Sequence, residues 1–294
     1  MIRRSKIGPV NIVKPRALTV PEGPEIRQAA DKIAAALSNQ EIKKVFFLSE
    51  PLKQHQKILI GATVKEIETR GKAILTHFDN GYSIYSHNQL YGRWYIVNRD
   101  KFPSTKRSLR LALHTETKSA LLYSASEIAV LKTPDVDQHP FLSRIGPDIL
   151  SPKLSWRDVA RRISSKKFKK RCIAGLLLNQ SFLAGLGNYL RSEILFAAKI
   201  DPTKRPSDLQ TTELNCLAKS IITISQRAYE TGGITNPNKR VNVLRKNGLS
   251  RQKLRHAVFS RKGLECYDCG DTVLQEYFSG RRLYFCPRCQ LTED

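Results

Sequence analysis

Apolar positions along the chain change their period several times, and each change predicts a different kind of structure. In "PEIRQAADKIAAALSNQ" the residues Ile26, Ala29, Ala30, Ile33 and Leu37 recur at helical spacing, with Pro24 in the first turn. One amphipathic helix is expected there. From Glu41 to about Val130 the pattern becomes that of strands. "IKKVFFL", "TVKEIETR", "KAILTHF", "YSIYSH", "GRWYIV", "SLRLALH" and "SALLYSA" are short, β-branched or aromatic, and separated by turn signals such as "NG" and "TET". Some seven strands at this spacing predict a β-sandwich or barrel. "SRIGPDIL" then breaks the pattern and reads as a linker.

Helical spacing returns between Trp156 and about Thr231, in "SWRDVARRISS", "KRCIAGLLLNQ", "NYLRSEILFAAK" and "QTTELNCLAKSIITISQRAYE". "GGITNPNKRVNVLRKNGLSRQK" is polar, basic and glycine-containing, and reads as a mobile connector. The expected organisation is α+β and multidomain. A disordered basic or non-native extension over 1–20 precedes an N-terminal β-sandwich domain over 21–146. A helical domain over 152–231, a flexible connector over 232–254 and a metal-bound finger over 255–290 follow.

Charge narrows the class of partner. Fifty Lys and Arg against 26 Asp and Glu leave a net +24 on 294 residues. Such a surplus concentrates polyanions and releases their counterions on contact, so nucleic acid leads. A solubilising surface or an anionic membrane is the competing explanation, but no basic amphipathic helix with a Trp/Phe face stands out. No apolar run approaches the ~20 residues of a membrane span, and residues 1–20 lack the apolar stretch of a secretory signal. A cytoplasmic protein is expected.

Two motifs carry candidate chemistry. Cys266-x-x-Cys269 and Cys286-x-x-Cys289, separated by sixteen residues, suit one tetrahedral structural Zn²⁺. The intervening residues fit two strands, "TVLQEYF" and "RLYFC", joined at Ser279-Gly280-Arg281, a zinc ribbon with Arg281 and Arg282 at its tip. Cys172 and Cys216 stand alone in helical patterns and read as buried small hydrophobes. In "LLLNQSFLAGLGNYLRSEILF" a compact turn around Gly185 and Gly187 leads into a helix starting at Asn188, a good N-cap. The amides of such a helix start can face a phosphate, or the turn can simply connect two helices.

Together, "PEGPE" heading a helix, a β-sandwich, "QSFLAGLGNYLRSEILF" as a helix–two-turn–helix and a terminal four-cysteine ribbon resemble the formamidopyrimidine-DNA glycosylase/endonuclease VIII family. The resemblance covers Pro21 to about Gln290, with the motifs in the family's order. Within it, "ETRGKAILTHF" and "YSHNQLYGRW" look like the endonuclease VIII branch, which implies preference for oxidised pyrimidines. It implies base excision from double-stranded DNA with associated lyase activity; a monomer, in the bacterial cytoplasm and on the nucleoid through DNA, is the simplest expectation.

The resemblance implies that the terminal amine of Pro21 attacks the sugar C1′ and forms an iminium. An α-amino group has a pKa near ~8, below that of lysine, so more of it is free at neutral pH. Glu22 resembles the family's general acid for the sugar ring oxygen, and Lys72 in "RGKA" matches the lysine that holds a phosphate and assists β-elimination. Arg281 matches the arginine of δ-elimination, with Arg282 one position away. Gln89, Leu90 and Tyr91, in "NQLYG", fit a hairpin tip that fills the hole left by a flipped base. Arg144 and Asn188 match backbone-contacting positions, and Glu25 is placed to buttress the site.

A peptide-bonded proline nitrogen is an amide and cannot attack. Val20 precedes Pro21, valine is the conceptual translation of a GTG start codon, and Met1 is the chain's single methionine. Residues 1–20 are therefore expected to be absent from the working protein. A blocked Pro21 would instead suit a non-catalytic zinc-ribbon binder, and an RNA-associated basic protein would leave "PEGPE" and Lys72 unexplained.

Overall fold

The computed structural model describes residues 20–291, so residues 1–19, nearly all of the expected basic extension, lie outside it. Helix α1 (Gly23–Leu37) buries Ile26, Ala30, Ile33 and Leu37, the predicted stripe, against the sandwich. Strand β1 (Lys44–Phe47) and two single helical turns, α2 (Glu50–Lys53) and α3 (Gln56–Leu59), follow. Next come β2 (Val64–Arg70), β3 (Ala73–Phe78), β4 (Tyr82–His87), β5 (Arg93–Asn98), β6 (Leu109–His114), β7 (Lys118–Tyr123) and β8 (Glu127–Lys132). They form two antiparallel four-stranded sheets, ordered β1-β6-β7-β5 and β2-β3-β4-β8. Alternate residues such as Ile74 and Ile84 from one sheet and Leu111, Leu113 and Leu122 from the other fill the space between.

The sheet order corrects one expectation. "NQLYG" is no hairpin tip, because β4 and β5 lie in different sheets and the loop carries the chain across the sandwich. Strand β8 was not separated from β7 by sequence, since the break is only Ser124-Ala125-Ser126. "SRIGPDIL" is not a free linker either. Gly146 N–H donates to the Gln180 carbonyl at 2.8 Å and Ile149 N–H to the Ala184 carbonyl at 3.0 Å, which pins the segment to the helical half.

That half contains α4 (Trp156–Ile163), α5 (Ile173–Leu176), α6 (Asn188–Ala198) and α7 (Thr211–Thr231) around one apolar core. The long helix expected in "KRCIAGLLLNQ" shrinks to α5. Ile173, Ala174, Leu176 and Leu177 are all buried, so core surrounds the segment and apolar spacing gives no helical face. Tyr229 of α7 donates its hydroxyl to Asp31 of α1 at 2.8 Å, tying the halves together. The connector expected over 232–254 holds α8 (Asn238–Lys246), which packs Val241 and Leu244 with Ile234 and Leu254 into a small core of its own. Those apolar residues are sparse and interleaved with Lys and Arg, which hid the helix. Cys216 is exposed and Cys172 half-buried, contrary to the expectation that both are core.

The finger consists of β9 (Leu274–Phe278) paired with β10 (Arg281–Phe285), then α9 (Pro287–Gln290). The turn is Ser279-Gly280, so Arg281 opens β10 opposite Phe278 rather than standing in the joint. Leu283 and Phe285 enter the helical core, which docks the finger. Among the described residues no helix is long and apolar enough to cross a membrane.

Candidate active site

The start of α1 is held by the start of α6. Glu22 is buried, and its carboxylate accepts the backbone N–H of Tyr189 at 2.7 Å and of Leu190 at 3.2 Å. Gly187 permits this approach, since a Cβ there would stand 2.3 Å from the Glu22 carboxyl carbon. The amides that the sequence offered to a phosphate are therefore committed to a carboxylate of the chain itself. Gly187 is the N-cap, and Asn188 is the first helical residue instead. Burial pushes the Glu22 pKa up to about 7; Lys72 pulls it down, Glu25 adds to the rise, and the two amides lower it. A carboxyl of this kind is partly protonated at neutral pH and can donate a proton.

Lys72 sits in the two-residue β2–β3 turn, after Gly71. Gly71 has φ +64°, donates its N–H to Asp148 at 2.6 Å, and would place a Cβ 2.8 Å from that of Ala184. The lysine is thus carried by a turn locked to the helical half. Burial lowers its pKa, Glu22 opposes that, and Arg281 lowers it further. Glu25 accepts the Tyr189 hydroxyl at 3.1 Å and the Glu22 N–H at 3.1 Å, and lies 3.6 Å from Arg255. It buttresses the start of α1, as its place in the first turn suggested.

Two buried charges in α6 went unnoticed in the sequence. Arg191 is fully buried and donates to the carbonyls of Ala174, Phe278, Arg281 and Arg282 at 3.1–3.2 Å and to the Asn188 side chain at 2.7 Å. It clamps the end of the finger hairpin to α6, and Asn188 adds a bond to the Arg282 carbonyl at 2.7 Å. Glu193 accepts the N–H groups of Ala257, Val258 and Phe259 at 2.7–2.9 Å, shaping the segment that enters the finger. The signal available was a pair of charges inside an otherwise apolar helix, "NYLRSEILF".

The four finger sulfurs lie within 4.8 Å of one another, with Cys266–Cys289 at 3.9 Å and Cys269–Cys286 at 3.5 Å. Four thiolates about 2.3 Å from a tetrahedral ion are about 3.8 Å apart, so the cluster fits a bound metal.

A cavity of about 630 Å³ between the two halves brings together Pro21, Glu22, Lys72, Gln89, Leu90, Asn188 and Arg281. Gln89 has φ +49° and donates its amide to Glu127 at 2.6 Å, while Leu90 beside it is half-exposed. Tyr91 is exposed but does not line the cavity. Nor does Arg144, whose guanidinium donates to the Pro140 carbonyl at 2.6 Å. Arg282 lines it as well, but Arg281 is the arginine that acts on Lys72.

Known proteins share this fold. The model of the formamidopyrimidine-DNA glycosylase N-terminal domain matches residues 20–126, and that of the formamidopyrimidine-DNA glycosylase H2TH domain matches residues 145–239. The chain belongs to the formamidopyrimidine-DNA glycosylase family. It is 45% identical over 271 residues to Endonuclease 8 of Escherichia coli O17:K52:H18, covering 92% of this chain and 100% of the relative. Endonuclease 8 of Salmonella arizonae is 43% identical over the same span. Among solved structures, Lactococcus lactis Fpg with DNA containing N7-benzyl-Fapy-dG superposes with TM-score 0.76 at 25% identity, covering 92% of this chain and 100% of that one. The same protein with abasic-site DNA gives TM-score 0.75 at 24% identity and the same coverage. Family membership makes the chain a base-excision repair DNA glycosylase and AP lyase acting on oxidised bases, with the fold expected from sequence.

Proposed function

We propose that the enzyme excises oxidised bases from duplex DNA, pyrimidines in preference to purines, through a covalent iminium on Pro21, and then cuts the strand by β- and δ-elimination. The observation that carries this reading is the convergence of Pro21, Glu22, Lys72 and Arg281 on one cavity from three separate segments. The free imino nitrogen of Pro21 attacks C1′, the glycosidic bond breaks, and the base leaves with a proton. Glu22, with its pKa raised to about 7, protonates the ring oxygen as the sugar opens. The iminium draws electrons as a proton leaves C2′, which expels the 3′ phosphate. Loss of a second proton, assisted by Arg281, expels the 5′ phosphate. Lys72, lowered by burial, holds the phosphate beside the cavity and assists the first elimination.

This chemistry needs Pro21 as the first residue. The family model's match begins at residue 20 and leaves residues 1–19 outside it, which is compatible with a working protein that starts at Pro21. Gln89, Leu90 and Tyr91 fill the vacated position in the duplex, and Arg144 and Asn188 hold the backbone. Cys266, Cys269, Cys286 and Cys289 hold one Zn²⁺, which keeps the finger folded. The enzyme works as a monomer in the bacterial cytoplasm and on the nucleoid.

Side-by-side release of an oxidised pyrimidine and an oxidised purine from matched duplexes tests the substrate assignment. Faster release of the pyrimidine, ending in β,δ products, is expected. Faster release of the purine, or strands left uncut, contradicts it.

A further inference from the structure

Tyr277 has 71% of its surface exposed, an unusual state for a tyrosine on a short, rigid strand. It is paired directly across the hairpin with Arg282, so both side chains leave the same face, and both line the cavity beside Arg281. Among the described residues the Arg282 guanidinium meets no carboxylate, and the Tyr277 ring meets neither a cation nor a second ring. The backbone beneath is fixed, because Arg191 holds the carbonyls of Phe278, Arg281 and Arg282. Leu90 offers an exposed apolar group to the same cavity from the sandwich side.

An exposed ring next to an unpaired guanidinium is the combination that holds a nucleic-acid strand, with the ring stacking on a base and the cation on its phosphate. We propose that Tyr277 and Arg282 form a binding contact for the damaged strand, with Tyr277 stacking on the base next to the extruded nucleotide. The damaged strand is the occupant because Arg281, on the same hairpin, faces the cavity assigned to the lesion's sugar. The inference rests on the proposed function, to which it adds a contact outside the catalytic set.

The test is titration of the wild type, Tyr277→Ala, Tyr277→Phe and Arg282→Ala against a duplex holding a tetrahydrofuran abasic analogue. 2-Aminopurine is placed 5′ of the analogue, 3′ of it, or opposite it. Tyr277→Ala is expected to bind about 5- to 150-fold more weakly. It should also relieve 2-aminopurine quenching at one of the two same-strand positions, and Tyr277→Phe should restore both properties. Arg282→Ala should reduce the slope of log affinity against log salt by about 1. Affinity and fluorescence of Tyr277→Ala matching the wild type overturn the inference, as does a change confined to the probe opposite the analogue. Borohydride capture of the wild type on an abasic duplex separates the two claims. Capture with an unaltered Tyr277→Ala removes this contact alone, whereas no capture removes the function beneath it.

Discussion

Replacing Arg191 by methionine keeps the length of the side chain and removes its charge and donors. The guanidinium serves five acceptors, and three of them, the carbonyls of Phe278, Arg281 and Arg282, belong to the finger hairpin. Summing charged hydrogen bonds at about 1.5–3 kcal/mol each overshoots, because desolvating the cation offsets part of the gain. That penalty is visible in the Arg191 pKa, which burial lowers to about 10. Each buried acceptor left without a donor costs about 1–3 kcal/mol, and methionine leaves several carbonyls dry. If about 3 kcal/mol falls on finger docking, the ratio of docked to undocked hairpin shifts by about 150-fold. Hydrogen exchange of residues 274–285 should accelerate accordingly, while the sandwich strands keep wild-type protection. On an abasic duplex the δ-product should fall more than the β-product, because Arg281 moves with the hairpin and Lys72 does not. Arg191→Lys should not rescue, since an ammonium cannot span the same set of acceptors. Wild-type exchange at 274–285 together with an unchanged product ratio would refute the clamp.

Glu22→Gln should slow base excision by about 10²- to 10⁴-fold in single turnover. In the wild type the rate should fall as pH rises through about 7, where the acid loses its proton, and the variant should lack that descending limb. Gly187→Ala, whose Cβ would meet the Glu22 carboxyl at 2.3 Å, should lose excision while its circular dichroism stays native. Chelation of the metal, or Cys269→Ser, should lower affinity for abasic duplex and unfold the finger without melting the sandwich, as domain-resolved hydrogen exchange would report. Arg281→Gln should leave β-product accumulating at the expense of δ-product on a denaturing gel.

What was legible in the sequence was what repeats or clusters locally. The stripe of α1, the sandwich strands and the paired cysteines each occupy a few neighbouring residues, and all are present. Partners distant in sequence were not legible. Nothing near Glu22 says that its carboxylate caps a helix beginning at Asn188, because that contact exists only once the two halves meet. The side of the sandwich on which a loop crosses is likewise a matter of sheet order, which misled the reading of "NQLYG". Helix α8 escaped notice because four apolar residues scattered among basic ones suffice for a small satellite core. Arg191 and Glu193 could have been singled out, as charges at positions where every neighbour is buried.

Covalent capture tests the central claim most directly. The active protein is incubated with an abasic duplex and borohydride, then digested, and the peptide bonded to DNA is sequenced by mass spectrometry. The account predicts one cross-linked peptide that begins with Pro21 and carries the reduced sugar on its α-nitrogen. Capture through a lysine, or capture by a chain in which Val20 still precedes Pro21, would contradict it.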